Sequence, residues 1–311
     1  SASDASSSTS APADNDKKVL TIAQGGDITT FDMQNHNNGV TGAVLCNFSH
    51  GLVERADEDN AWVCVLAKSY EMIDDSTWEF KLRDDVTWHN GDPFTAADVK
   101  YTYERAATDE SLAENHIFKV IKEVQIIDDY TVRFATDGPY PTLLSLLSKN
   151  GSQVMPSKYI EENGLDYYLE HPIGCGPYQF KEWVKDNVVV LERYDDYFGG
   201  TPYWDEVRFR AIPEASTRVA ELLTGNVDII VNVPTNEWDR INTEENTEMV
   251  LGNGTRIYNV IMKWNTSPTQ NKQVREAVAY AIDAQTIIDT VLKGRRHSVL
   301  HPYRSGRIRS G

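Results

Sequence analysis

Trp78–Arg105, WEFKLRDDVTWHNGDPFTAADVKYTYER, is the stretch from which the fold is read. It opens as a strand: Trp78, Phe80 and Leu82 alternate with Glu79, Lys81 and Arg83, giving one apolar and one charged face. Asp84-Asp85 turns the chain, Val86 and Trp88 form a second short apolar edge, and Asn90-Gly91-Asp92-Pro93 is a turn sequence. Thr95 then stands as an N-cap, with Asp98 three residues on, ahead of a helix carrying Val99 and Tyr103 on one face. These residues specify a strand, a tight turn and a capped helix, and no chemistry.

Working outward, alternation in 119–127 and 130–135 around Asp128-Asp129 predicts a hairpin that joins the same small sheet. Val44, Leu45, Phe48, Leu52 and Val53 predict an amphipathic helix from Thr41 to about Glu54-Arg55, ahead of the acidic turn Asp57–Asn60. Before it, Val19–Ala23 reads as a strand ended by Gln24-Gly25-Gly26-Asp27, and the Asn-rich run 30–40 as an irregular loop. After the hairpin, the pattern predicts helices over Leu143–Leu147 and Lys158–Glu170, then a hairpin of Tyr178–Trp183 with Val188–Arg193. Val207–Ala211 is a strand, Glu214–Thr224 a helix closed by Gly225, Val227–Ile230 a buried strand and Arg256–Trp264 an apolar one. A helix over Val274–Leu292 follows the 3.6-residue period.

A length of 311 residues predicts about two domains. The net charge of −17 disfavours nucleic acid or an anionic membrane surface as partner, because either needs a basic face. No apolar run approaches the ~20 residues that span a bilayer. Cys46, Cys64 and Cys175 lack metal-ligand spacing and read as small buried residues, with one disulfide left open. Residues 1–18 hold no large apolar side chain and are expected to be a disordered linker. Residues 293–311 carry six Lys/Arg and no acid, a compositional break that reads as non-native sequence or as an anion-binding arm.

Catalytic constellations are not recognisable. There is no Gly-x-Ser-x-Gly or His-Glu-x-x-His, and no cysteine has a convincing histidine partner. The acid pairs 74–75, 84–85, 128–129 and 195–196 all fall at predicted turns, where solvated loop ends explain them. His36, His50, His89 and His116 are isolated in sequence, so neither a metal nor a cofactor is expected. A carboxylate-dependent hydrolase stays as the rival from another class.

The signature stretch, read as Leu82-Arg83-x-x-Val86-x-Trp88-x-Asn90-Gly91-x-Pro93-Phe94-Thr95-Ala96-x-Asp98-Val99, closely resembles the family 5 solute-binding proteins of ABC importers. Three further runs resemble the same family: Pro172-x-Gly174-Cys175-Gly176-Pro177-Tyr178, Tyr197–Trp204, and ELLTGNVDI at 221–229. Two positions depart from its pattern: Cys175 stands where Thr or Ser is usual, and Phe31-Asp32-Met33 lacks the proline of the usual Leu-Asp-Pro.

The resemblance covers about residues 19–292. It implies an α/β fold of the periplasmic-binding-protein type (type II, cluster C), with mixed sheets, an inserted second domain and an incomplete third. Domain I is expected from 19–45 plus 173–267, domain II from 46–172, and the start of a truncated domain III from 268–292. The implied function is capture of a di- or oligopeptide by lobe closure and delivery to the permease of an ABC importer, with a nickel chelate or oligosaccharide as the nearest alternatives. The location implied is extracytoplasmic, as a monomer held to the membrane by an N-terminal lipid. The site residues implied are Asn37, Asn38, Gly39 and Val40 in the first loop, Asn115 and His116 in domain II, Asn232 and Val233, and Tyr258 or Trp264 at the crossover. Trp264 reads more simply as a core residue and His116 as a surface one.

Overall fold

A computed structural model of the chain describes residues 17–56, 61–251 and 260–291. In chain order these form β1 (Val19–Gln24), α1 (Gly39–Phe48), β2 (Val53–Arg55), β3 (Trp62–Cys64), β4 (Ala67–Asp74), β5 (Thr77–Leu82) and α2 (Ala96–Thr108). There follow α3 (Asn115–Phe118), β6 (Ile121–Asp128), β7 (Thr131–Thr136), α4 (Leu143–Leu147), α5 (Ser157–Asn163), α6 (Leu165–Glu170), β8 (Tyr178–Val184) and β9 (Val188–Arg193). The last are β10 (Glu206–Ala211), α7 (Ala215–Leu223), β11 (Ile229–Ile230), α8 (Trp238–Thr243), α9 (Lys272–Ala281) and α10 (Ala284–Val291). The chain divides into two compact units, Ser1–Asn232 and Val233–Gly311.

Among the described residues the first unit holds three sheets, of which the two larger have separate cores. The signature strand β5 lies inside an antiparallel sheet of order β4-β5-β7-β6, in which Trp78 opposes Phe134 and Phe80 opposes Val132. Tyr103 and Val99 of α2 are buried in the same cluster, and the rings of Phe80 and Tyr103 meet Phe134 edge to face at 5.3 and 5.2 Å. Each such buried ring contributes about 1.5–3 kcal/mol by area, with the edge-to-face pairing adding to it. The second sheet has the order β11-β1-β10-β9-β8, with β11, β1 and β10 parallel and the remaining pairs antiparallel. Its core gathers Phe31, Val44, Leu45, Phe48, Leu191 and Phe209.

The turn between β5 and α2 shows why the signature is written as it is. Trp88 N–H donates to Asp92 O, and Gly91 takes φ +85°, a region that favours glycine. The Asp98 carboxylate accepts from Thr95 N–H (2.9 Å), from Ser157 N–H (2.8 Å) and Oγ (2.7 Å), and from Trp88 Nε1 (3.3 Å). One buried acid thus caps α2 and ties it to the start of α5. The second glycine run is equally constrained. A Cβ at Gly174 would lie 2.0 Å from Phe48 O, and one at Gly176 2.6 Å from Phe48 C. His89 locks this run: its Nδ1 accepts from Gly174 N–H and its Nε2–H donates to Gly176 O, both at 3.0 Å.

Several expectations are corrected. The helix begun near Thr41 stops at Phe48, and Leu52-Val53 belongs to the next core, where Val53 pairs with Cys64 in a two-stranded sheet. The Tyr-rich helix is broken at Gly164, with φ +89°, and the last helix at Ile282-Asp283, where the Asp283 carboxylate receives Thr286 N–H. The strand expected over Val227–Ile230 is only Ile229-Ile230, at a sheet edge, with Ile229 exposed. Residues 260–264 form no strand; 256–259, like most of the N-terminal linker, the acidic turn and the basic tail, lie outside the described residues. Lys17 and Lys18, placed in the linker, are tied to Glu206 and Asp205. Only Cys175 is buried; Cys46 is exposed and Cys64 half-buried, and all three are free thiols. Among the described residues no helix is long and apolar enough to cross a membrane.

The second unit contains α8, α9 and α10. Trp238 and Ile241 are buried, with Trp238 Nε1 donating to Val233 O at 3.0 Å, while Ile261 is 88% exposed.

Candidate functional site

The loop that follows β1 is built on alternation. Asp32, Gln34 and His36 are buried, whereas Asn35 and Asn37 face solvent. These polar side chains are buried beside Phe31 and Met33 of the same run, so the loop carries polar groups into the core. Arg105 of α2 grips it with a two-pronged ion pair to Asp32 (2.9 and 2.6 Å) and a bond to Gln34 Oε1 (2.8 Å). Gln34 Nε2 donates to Thr102 O at 2.6 Å, and Glu114 N–H donates to Gln34 O. Removing Arg105 would leave a buried, unpaired carboxylate. His36 has no hydrogen-bond partner on either ring nitrogen, although the Asn38 backbone is near; burial lowers its pKa, opposed chiefly by Glu114. The loop ends in α1, where Asn38 Oδ1 accepts from Thr41 N–H at 2.7 Å as N-cap.

Of the residues implied to bind ligand, Asn37, Asn38, Gly39 and Val40 are therefore held on an anchored loop. Glu114, which precedes Asn115 and His116, donates its N–H to Gln34 O of this loop. The Asn115 side chain serves the fold, since its Nδ2 donates to Ala106 O and Ala107 O and closes the end of α2. His116 is exposed, its Nδ1 bonded to Ala113 O. Asn232 sits in the left-handed region (φ +57°) just after β11, the parallel neighbour of β1. Val233 is half-buried in the second unit. Trp264 is 73% exposed, which corrects its reading as a core residue, and Tyr258 lies outside the described residues. Among the described residues no three His, Cys, Asp or Glu side chains group as metal ligands. A separate cavity of about 510 Å³ opens beside the signature, lined by Pro93, Lys100, Tyr101, Ile126, Lys158 and Tyr159, and includes none of these residues.

Arg218 was not found by sequence reasoning. It lies in the first turn of α7, is 4% exposed, and reaches back to the carboxyl ends of the parallel strands. Its Nη1 donates to Ile212 O (2.7 Å) and Pro213 O (3.0 Å), and its Nη2 to Asn232 O (3.4 Å). The guanidinium thus gathers the segments leaving β10 and β11 around the Gly25-Gly26 turn that leaves β1. A Cβ at Gly25 would be 3.6 Å from Nη1. In open sheets with parallel strands, this carboxyl edge is where ligands bind.

Comparison with known proteins bears on the fold and the family. The model of the bacterial extracellular solute-binding proteins, family 5 (middle), matches residues 61–303. The glutathione-binding protein GsiB of Salmonella paratyphi A is 29% identical over 280 residues, covering 89% of this chain and 54% of its own length. The chain therefore spans about half the length of the curated relatives it matches. Among solved structures, AgaA from A.tumefacien R10, in complex with agropinic acid, superposes with a TM-score of 0.75 at 26% identity, covering 89% of this chain and 56% of that one. The Helicobacter pylori binding protein DppA, in complex with the peptide STSA, gives 0.74 at 24% identity over 89% and 58%. From the family match over most of its length and the shared α/β architecture, the chain belongs to family 5 of the bacterial extracellular solute-binding proteins.

Proposed function

We propose that this protein captures a small solute, a di- or oligopeptide, outside the cytoplasm and hands it to the permease of an ABC importer. The observation that carries the reading is an Asn37–Val40 loop anchored through Arg105, together with a sheet whose β11-β1-β10 strands run parallel, inside a chain of this family. The glutathione-binding relative favours a peptide as the solute. Within the first unit, the core around β8–β11 corresponds to domain I and the core around β4–β7 to the inserted domain II. Capture proceeds by lobe closure, as a monomer tethered by an N-terminal lipid, without covalent chemistry.

Thermal unfolding in the presence of glutathione, trialanine, a nickel–histidine chelate and maltotriose tests this, because a ligand that binds only the native state raises Tm by mass action. A rise with the peptides alone is expected. A rise with the chelate or sugar alone would replace the peptide assignment, and turnover of any probe would favour the hydrolase reading.

A further inference from the structure

Arg218 is a buried cation without a counter-charge. Its described partners are three backbone carbonyls, and no carboxylate pairs with it among the described residues. A guanidinium has five N–H donors. Here Nη1 is well used, Nη2 makes one long bond, and Nε has no hydrogen-bond partner among the described residues. Carbonyl dipoles soften the charge but do not neutralise it, and an uncompensated buried ion is costly.

The surroundings lack what a purely structural role would supply. The neighbouring carboxylate of Asp27 is committed to Ile28 N–H, Trp183 Nε1 and Asp186 N–H. Asp228 accepts from Thr21 N–H, and Glu214 from Ser216. Next to the guanidinium lies Gly25; its amide and that of the following Gly26 have no hydrogen-bond partner among the described residues, and a side chain at Gly26 would meet nothing within 4 Å. Free amides beside a fixed cation are the makings of an anion site.

We infer that Arg218, with the Gly25 and Gly26 amides, forms an anion-binding station at the carboxyl edge of the parallel strands, which takes the carboxylate of the captured solute. This rests on the solute-binding reading and narrows it to ligands with a free carboxylate. The cation and amides contribute charge-assisted bonds, so acid and amide forms of one ligand differ in affinity by about tenfold or more.

The test uses the whole chain with trialanine and its C-terminal amide, by calorimetric titration. The wild-type protein is expected to bind the acid at least about tenfold more tightly. Arg218→Met should abolish the preference for the acid over the amide. Arg218→Lys, which keeps the charge without the fork, should retain an intermediate preference, and it carries the test where the Met variant does not fold. Equal binding of both peptides by the wild type, or an undiminished acid preference in the variants, overturns the station and leaves solute binding standing. Binding of neither peptide overturns both.

Discussion

His89 offers a sharp test of how the signature holds the first unit together. Its Nδ1 faces the Gly174 N–H, so that nitrogen must be the acceptor and Nε2 must carry the hydrogen that reaches Gly176 O. A second proton on Nδ1 would set two donors against each other. Burial holds the His89 pKa down to about 4 from 6.5, opposed by the bond to Gly176 O. The unfolded chain therefore binds more protons than the folded one between these values, and stability falls as pH falls through that window. A difference of 2.5 units corresponds to about 3 kcal/mol once the pH is below both values, of which about 2 kcal/mol is lost between pH 7 and 5. Urea unfolding of the wild type and of His89→Gln at half-unit steps from pH 7.5 to 4.5 isolates this contribution. The variant should be weaker at pH 7 by about 1–3 kcal/mol, because it disturbs two buried hydrogen bonds. The gap should then close by about 2 kcal/mol on going to pH 5, since glutamine does not titrate. A gap that stays constant with pH, or a His89 ring that titrates near 6.5 by NMR, would refute the reasoning.

Three other perturbations follow from the same packing. Asp98→Ala strands donors from Thr95, Ser157 and Trp88 at once, and should cost roughly 3 kcal/mol, read as a Tm lower by roughly 6–12 °C. Gly174→Ala drives a methyl into Phe48 O and should abolish soluble folded protein, whereas Gly39→Ala, which meets nothing within 4 Å, should stay within about 1 kcal/mol of wild type in urea titrations. Burial alone would raise the Glu206 pKa, but hydrogen bonds from Lys17, Lys181 and Arg208 hold it down to about 2; its stabilisation is present above pH 4.5 and fades as pH falls toward 2. Glu206→Gln should remove that acid-side slope in thermal scans.

The parts of the fold legible in the sequence are those fixed by neighbours along the chain. The alternation in Trp78–Leu82, the Asn90–Pro93 turn and the Thr95/Asp98 cap depend on nearby residues, and each stands where it was expected. Breaks and faces decided by distant contacts were harder to read. Leu52 and Val53 continue a helical spacing, but the backbone leaves one core for another between Phe48 and Val53, and no periodicity records a change of core. Ile229 is as apolar as any buried strand residue, and only the edge position of β11 leaves it exposed. The site divides the same way. The Asn37–Val40 loop is proposed from the family resemblance, whereas Arg218 sits among ordinary helix formers, and nothing local distinguishes a solvated arginine from one folded back onto three carbonyls.

The family signature and ligand choice occupy different parts of the molecule. Trp88, His89 and Asp98 point into the body of the protein: Asp98 joins α2 to α5, His89 clasps the glycine run, and Trp88 is buried against both. None of the three belongs to the Asn37–Val40 loop or to the carboxyl edge around Arg218. The signature acts on the loop after β1 through α2, whose Arg105 grips that loop and whose last carbonyls are closed by Asn115. A motif built of internal fastenings can stay the same while the loops it positions change chemistry. On this account the stretch that identifies the fold is silent about the solute.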